Sequence, residues 1–390
     1  MLNVKRIFFF TLLVAMTLAS VVKAQDKTLN VVQTAVPFLM VSPDARSGSL
    51  GDAGVSSTPD ENSMHWNPAK FAFIEKDLGV AINYSPWLHN LVPDINLAYL
   101  TGYKRLDKNQ VIAASLRYFS LGNIQFTNAF GEPIGDYKPN EFAIDGTYSR
   151  KFTKTLSGAV AGRFIHSNLT AGQQVGSQST KPGNSVAADV AVYQQLPVRM
   201  NSVDGTFAWG VNISNIGAKI SYSNDNIVKD FIPTNLRIGP SLTLDFDEYN
   251  SMSFMVDFNK LLVPTTPVYS DSNSTTIVAG MDPDVSVPVG MLHSFYDAPG
   301  GFNEELREIS ISTGVEYWYN KQFALRGGFF YEDATKGDRK YVTLGAGLRY
   351  NVFGLDFSYL IPLKQDNPLE NTLRFSLLLN FEAVTGGGKK

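Results

Sequence analysis

"TLRFSLLLNF", Thr372 to Phe381, places Leu373, Phe375, Leu377, Leu379 and Phe381 on one parity. Thr372, Arg374, Ser376 and Asn380 fall on the other, with Leu378 the one apolar residue among them. Successive side chains of a strand point to opposite faces, so this segment is a strand with one greasy side and one polar, charged side. Two settings suit it. In a sandwich the greasy face meets a protein core; in a membrane barrel it meets lipid.

Composition narrows the choice. The chain has 390 residues, a net charge of −3 and no Cys. Without Cys there are no disulfides, no thiol catalysis, no cysteine zinc site and no lipidated N-terminal cysteine. The weak acidity argues against nucleic acid as a partner. At the N-terminus Lys5 and Arg6 precede an apolar run from Ile7 to about Ala19, and Val22 and Ala24 supply small residues before Gln25. That order reads as a secretory signal peptide over residues 1–24, with an apolar run too short for a good spanning helix. No later run reaches the ~18 apolar residues of a spanning helix. A chain sent out of the cytoplasm in this form is either soluble in the envelope or crosses a membrane as a closed barrel.

The two-faced pattern recurs from Leu78 onward, about fourteen times at bilayer-crossing length. "DINLAYLTGY" sets Ile95, Leu97 and Tyr99 on one face, and "VIAASLRYF" sets Ile112, Leu116 and Tyr118 against Ser115 and Arg117. Phe142, Ile144 and Tyr148 oppose Asp145; Val160 and Phe164 oppose Arg163; Val186, Val190 and Val192 oppose Asp189. Later segments repeat this around Arg237, Asp257, Glu316, Arg326, Arg349, Asp356 and Arg374. A solvated sandwich face favours Lys and Glu. Here Arg and Asp of both signs alternate with Gly and Ser, which suits a confined lumen where charges pair.

The connections alternate in length. "RLDKN", "KFTKT", "DFDEYN", "YNKQ" and "YNVF" are tight, whereas Ser120–Asn140, Ser167–Asn184, Asn215–Thr234 and Leu261–Glu308 are long. Short periplasmic turns and long outer loops are the habit of outer-membrane barrels. The expected fold is therefore all-β: a transmembrane antiparallel β-barrel of about 14 strands over residues 78–381, closed by Phe381. Residues 382–390 are expected to form a disordered periplasmic tail. Loops are expected at the cell surface and both mature termini on the periplasmic side. Residues 25–77 lack strand rhythm yet carry Val36, Phe38, Leu39, Met40, Trp66, Phe71 and Phe73. Such a segment is expected to pack as a hatch inside the barrel, entering from the periplasm. Its Arg46 and Asp52 are expected to pair with Asp145, Asp189, Arg326 or Arg349, because buried charges need partners.

"ARSGSLGDAGVSS" (Ala45 to Ser57) followed by "MHWNPAKFAF" (Met64 to Phe73) resembles the hatch of the FadL-like outer-membrane barrels, with Asn67, Pro68 and Ala69 on its Asn-Pro-Ala element. The context "VPFLMVSPDARSGSLGDAGV" is most similar to the PorV (LptO) family of the Bacteroidota type IX secretion system. That resemblance implies a shuttle and docking barrel that is not an enzyme. It would receive cargo by its C-terminal signal domain at the translocon barrel. It would then pass the cargo to a sortase attachment complex of PorU-, PorQ- and PorZ-like subunits, among outer-membrane lipid and lipopolysaccharide. No cofactor is implied. The loop Leu261–Phe302, mixing Pro and Ser with apolar residues, is the natural contact surface, with Phe295, Tyr296 and Phe302 as anchors and Met291 as an adaptable contact.

Two rival functions come from the same resemblance. One is transport of hydrophobic small molecules along Phe38, Met40, Trp66, Phe71 and Phe73, with Pro240 as a kink or bulge in the eighth strand. The other is lipid A or lipopolysaccharide O-deacylation, which needs a Ser, His and carboxylate together. The four His, at 65, 89, 166 and 293, have no Ser and carboxylate at a recognisable spacing. "DPD" at Asp282–Asp284 reads as a turn, not as a calcium loop.

Overall fold

The computed structural model describes residues 29–381 except 89–91, 93, 128–129, 171–173, 176–177, 224–228, 271–272 and 365–366. The signal-peptide and tail segments and His89 lie outside the described residues. Fourteen antiparallel strands close into one barrel. They are β1 (Leu78–Pro86), β2 (Ile95–Arg105), β3 (Gln110–Leu121), β4 (Asn140–Lys151), β5 (Leu156–Asn168), β6 (Gly183–Met200) and β7 (Val203–Gly217). The circuit continues with β8 (Asn235–Asp245), β9 (Asn250–Leu261), β10 (Ser310–Tyr319), β11 (Phe323–Tyr331), β12 (Lys340–Tyr350), β13 (Phe353–Pro362) and β14 (Leu373–Phe381). The seam is β1 against β14, with Leu78 opposite Phe381 and Tyr84 opposite Phe375.

Alternation sorts the two faces. Ile82, Leu116, Ile144, Val160, Val186, Phe254, Leu325, Leu344, Leu355 and Phe375 are exposed on the outside. Ser115, Arg117, Asp145, Asp189, Asn212, Asp257, Glu316, Asp356 and Arg374 are buried inside. The opening stretch thus has an outward greasy face. β2 differs from its neighbours. Leu97 and Tyr99 point inward and are buried, while Leu100, on the opposite parity, is exposed. β2 is apolar on both faces because Leu97 joins an internal apolar cluster with Phe38 and Phe119.

Tight turns gather at one mouth. β6 and β7 are joined by Asn201–Ser202 alone, both in left-handed conformations, as a two-residue hairpin with strand-matched twist requires. Long connections gather at the other mouth. At Pro240 the ladder from β8 to β9 is interrupted: Ile238 faces Phe258 and Ser241 faces Met255, with no pairing between and no change of register. Of the expected kink or bulge, the interruption is present and a register shift is not: the missing N–H leaves a gap in the ladder.

Residues 29–77 cross the barrel from mouth to mouth. Asn30 N donates to Thr335 O and Ala35 N to Phe231 O, both in long connections. Val36, Phe38 and Leu39 pack beneath them. Short helical turns follow at Pro37–Met40, Ala45–Gly48, Ser63–Trp66 and Pro68–Phe73. The path ends where Arg105 N donates to Asp77 O at the tight-turn mouth. Phe381 lies at the short-turn mouth, and the described chain starts with Leu29 at the opposite mouth, where its first described backbone bonds are made to the long loops; the mature ends themselves lie outside the described residues.

Candidate functional site: a filled lumen beneath a long-loop face

The lumen is filled by contacts that begin with single residues. Asn67 ends one helical turn and caps the next: its Oδ1 accepts from Ala69 N at 3.0 Å, ahead of Pro68 at the first position. Its Nδ2 donates to Val55 O and to Val192 O on β6, each at 3.0 Å. Ala69 offers its carbonyl to Ser157 Oγ at 2.7 Å and Ser149 Oγ at 3.3 Å on the wall. Trp66 Nε1 donates to Asp44 Oδ1 at 2.6 Å, and the Arg237 guanidinium lies 4.5 Å over its ring. The Asn-Pro-Ala element is thus a stop, a cap and a wall contact in three residues.

Charges tie plug to wall. Arg46 bridges Glu316 on β10, with Nε at 2.9 Å and Nη2 at 2.7 Å, and Asp60 within the plug at 2.9 Å. Asp257 on β9 accepts from Gly54 N at 2.7 Å and Val55 N at 2.8 Å. Arg117 on β3 donates to Leu39 O at 2.7 Å and contacts His65 Nδ1 at 2.7 Å. Asp52 accepts from the Tyr341 hydroxyl and stands 3.8 Å from Arg374.

The expected partners of Arg46 and Asp52 are therefore corrected, because the wall supplies them to itself. Asp145 and Arg163 sit directly opposite across β4 and β5, and Arg163 also reaches Asp189 at 3.1 Å. Glu316 faces Arg326, which also binds Asp356, itself bonded to Arg349 at 2.7 Å. Asp145, Asp189 and Arg349 are taken up by wall partners, while Glu316 is shared between Arg326 and the plug's Arg46.

Inside the plug, burial governs titration. It pushes the Lys70 ammonium down to about 8 while Nζ donates to Gly54 O and Ser57 Oγ. Burial, and then the charge of Asp60, raises Glu61 to about 7. His65 falls well below its usual range through burial and then the Arg117 charge.

A feature not anticipated from sequence is a set of inward glycines on β10 to β12. A methyl at Gly328 would lie 2.0 Å from Gly51 N, at Gly345 2.3 Å from the Ser49 side chain, and at Gly314 2.7 Å from that of Leu50. Their signal was present: glycine on the polar parity of strands that otherwise carry charge there.

The aromatics weighed as a conduit pack on the wall. Phe38 stacks on Phe119, Phe71 meets Tyr103 and Phe73 meets Tyr193. Met40 lines a cavity of about 350 Å³ under the long-loop mouth. His166 bonds Asn184 and lies against Phe142, and His293 lies against Tyr296. Asp284 N donates back to Asp282, a turn closed on itself.

The connection from β9 to β10 is ordered from its base. Lys260 binds Glu305 at 2.9 Å and Glu308 at 2.6 Å; Lys336 binds Glu304 at 2.7 Å and Glu308 at 2.8 Å. On the short helix Phe302–Arg307, Glu304 and Glu305 turn inward while Phe302 and Leu306, four apart, are exposed. Phe295, Tyr296 and Phe302 are 49%, 60% and 74% exposed, and Met291 is half-buried. Leu292 adds to the same exposed apolar set.

A family model described as type IX secretion system protein PorV matches residues 22–268. No curated protein matches the chain. Among solved structures, the Ralstonia pickettii toluene transporter TbuX is 11% identical, with TM-score 0.48 over 87% of this chain and 98% of that one. The P. putida toluene transporter TodX is 12% identical, with TM-score 0.46 over 87% and 98%. A Pseudomonas aeruginosa FadL homologue is 12% identical, with TM-score 0.44 over 91% and 100%. Likeness at this level carries nothing about what the chain binds.

Proposed function

We propose, from the premise that the chain belongs to the PorV family of type IX secretion system proteins, that it is a docking and shuttle barrel of that system. As an outer-membrane component it holds its long loops at the cell surface. There it receives cargo by a C-terminal signal domain beside the translocon barrel and delivers it to the sortase attachment complex. One observation carries this reading. The lumen is occupied by a bonded plug, while a loop tied at its base through Lys260 exposes Phe295, Tyr296 and Phe302. Solvent-exposed aromatics on a fixed support are what partner surfaces use as anchors. The chain's part is binding, with no covalent step on its own residues.

Replacing Phe295, Tyr296 and Phe302 together by Ala tests it. The barrel should remain folded and in the membrane, and secreted cargo should lose surface attachment and accumulate uncleaved. Normal attachment in that variant removes this loop from the function. Loss of a lipid A acyl change in His166→Ala, with attachment intact, would replace docking by deacylation.

A further inference from the structure

We infer that the outer wall carries a seat for one phospholipid acyl chain, a groove of about 570 Å³ that crosses β7 to β11 at mid-height. The inference rests on the barrel standing in a bilayer and is independent of what its loops bind. Strand register sets two neighbouring outward rows across these strands. One runs Phe207, Leu242, Phe254, Val315, Gly327. The next runs Trp209, Pro240, Val256, Thr313, Phe329, with the ladder gap between Pro240 and Val256. Depth comes from Pro240, Thr313 and Gly327, where outward positions elsewhere carry Ile82, Ile144, Val190 or Leu355, each half exposed. A methyl added at Gly327 has its nearest neighbour at 3.9 Å, so the space over it is open. Behind the groove, Gly314 and Gly328 bring Leu50 and Gly51 of the plug against the inner surface, with a methyl at Gly328 only 2.0 Å from Gly51 N. A groove backed in this way has its binding shape before a ligand arrives.

Location and chemistry name the occupant. The groove lies mid-strand on the greasy face, in the band that an outer-membrane barrel turns to hydrocarbon. None of its described lining residues is charged. Its two hydroxyls are both committed, Ser241 Oγ to Ser56 O at 2.6 Å and Thr313 Oγ1 to Phe329 O at 3.4 Å. A headgroup or a peptide backbone therefore finds nothing there to bond. The volume falls within the ~300–1,000 Å³ of small-ligand sites. A methylene chain matches on each count: it is apolar, slender and present in the surrounding medium. Because that medium is itself hydrocarbon, the gain on seating is close packing against Phe207, Phe254 and Phe329 and not removal from water.

The intact barrel is tested in nanodiscs of phosphatidylethanolamine that contain a trace of the same lipid with a diazirine midway along one acyl chain. After irradiation the adducts are mapped by peptide mass. Labelling should fall about five-fold more often on Leu242, Phe254, Val315 and Phe329 than on Ile82, Leu116 and Ile144, which are outward on β1, β3 and β4. Even labelling around the barrel overturns the seat. Gly327→Leu and Thr313→Leu fill the groove from adjacent rows without touching the plug, so that if one fails to fold the other serves. Either should bring groove labelling down to the level of Ile82 and leave the other strands unchanged. Groove labelling that persists in a folded variant overturns the seat as well. A photo-crosslinking residue in place of Val315, irradiated in intact cells, separates the occupants. Adducts of phospholipid mass are the expected result, and capture of a protein or of free fatty acid alone overturns the assignment.

Discussion

Arg46 is where plug and wall share a charge. Its guanidinium serves two carboxylates whose side chains are almost wholly buried. In Arg46→Ala, Glu316 keeps Arg326 at 2.6 Å, and Asp60 loses its ion pair. Removing one partner of a buried pair costs about 3–5 kcal/mol, and the surviving Glu316–Arg326 contact places this case near the lower end. The unfolding midpoint in detergent should fall accordingly. Arg46→Lys should recover only part of it, because an ammonium cannot reproduce the two-pronged contact with Glu316. Glu61 gives a pH dependence of definite sign. Its folded value is raised from 4.5 to about 7, so the folded chain holds that proton more tightly. The contribution is fully present below the unfolded value and is lost as pH rises from 4.5 to about 7. Between pH 5 and 7.5 the wild type should lose more stability than Glu61→Gln, read from unfolding midpoints at each pH.

At the level of elements, Gly327 and Gly328 make a paired test. Adjacent on β11, they face opposite ways. A methyl at Gly327 has its nearest neighbour at 3.9 Å, whereas at Gly328 it meets plug backbone at 2.0 Å. Gly328→Ala should lower the heat-modifiable folded fraction on gels by about 1–3 kcal/mol equivalent, the usual cost of overpacking. Gly327→Ala should be near neutral. The strands themselves were legible because period two is a strong signal wherever one face is apolar and the other charged, as around Arg117 and Asp257. In β2 the parity of Leu97 and Tyr99 was legible but not which way it faces, because both are apolar toward the plug and apolar character there does not mark the outside. The plug residues were legible as a packed segment through Phe38, Trp66 and Phe71. Their route was not, since turns of four to six residues have no period to read. Nor were the partners of Arg46 and Asp52, which depend on which charges the wall pairs across its own hairpins, such as Asp145 with Arg163 and Glu316 with Arg326.

For the molecule as a whole, the plug makes the barrel a platform. Deleting residues 42–73 should open a stable conductance in planar bilayers, where the intact protein stays closed. An unchanged, closed barrel would mean that other residues seal the lumen. Fourteen strands enclose room for such a segment, and the inward wall offers it Asp257, Thr343, Ser376 and Asn212 as ready hydrogen-bond partners.

The crossing of residues 29–77 from one mouth to the other also sets an order of events in time. A finished ring admits this segment only end-on, past Arg117 and Asp257 before either has met its plug partners. A sheet still open at the β1–β14 edge can instead be wrapped around it, each wall charge meeting its mate as the curl tightens. Assembly by that route is like lacing a shoe before tying it. The tying is the approach of Leu78 to Phe381, and once made it turns a reversible contact into a mechanical capture. A crosslink across that edge, placed during biogenesis, should then appear only after residues 29–77 have become resistant to protease.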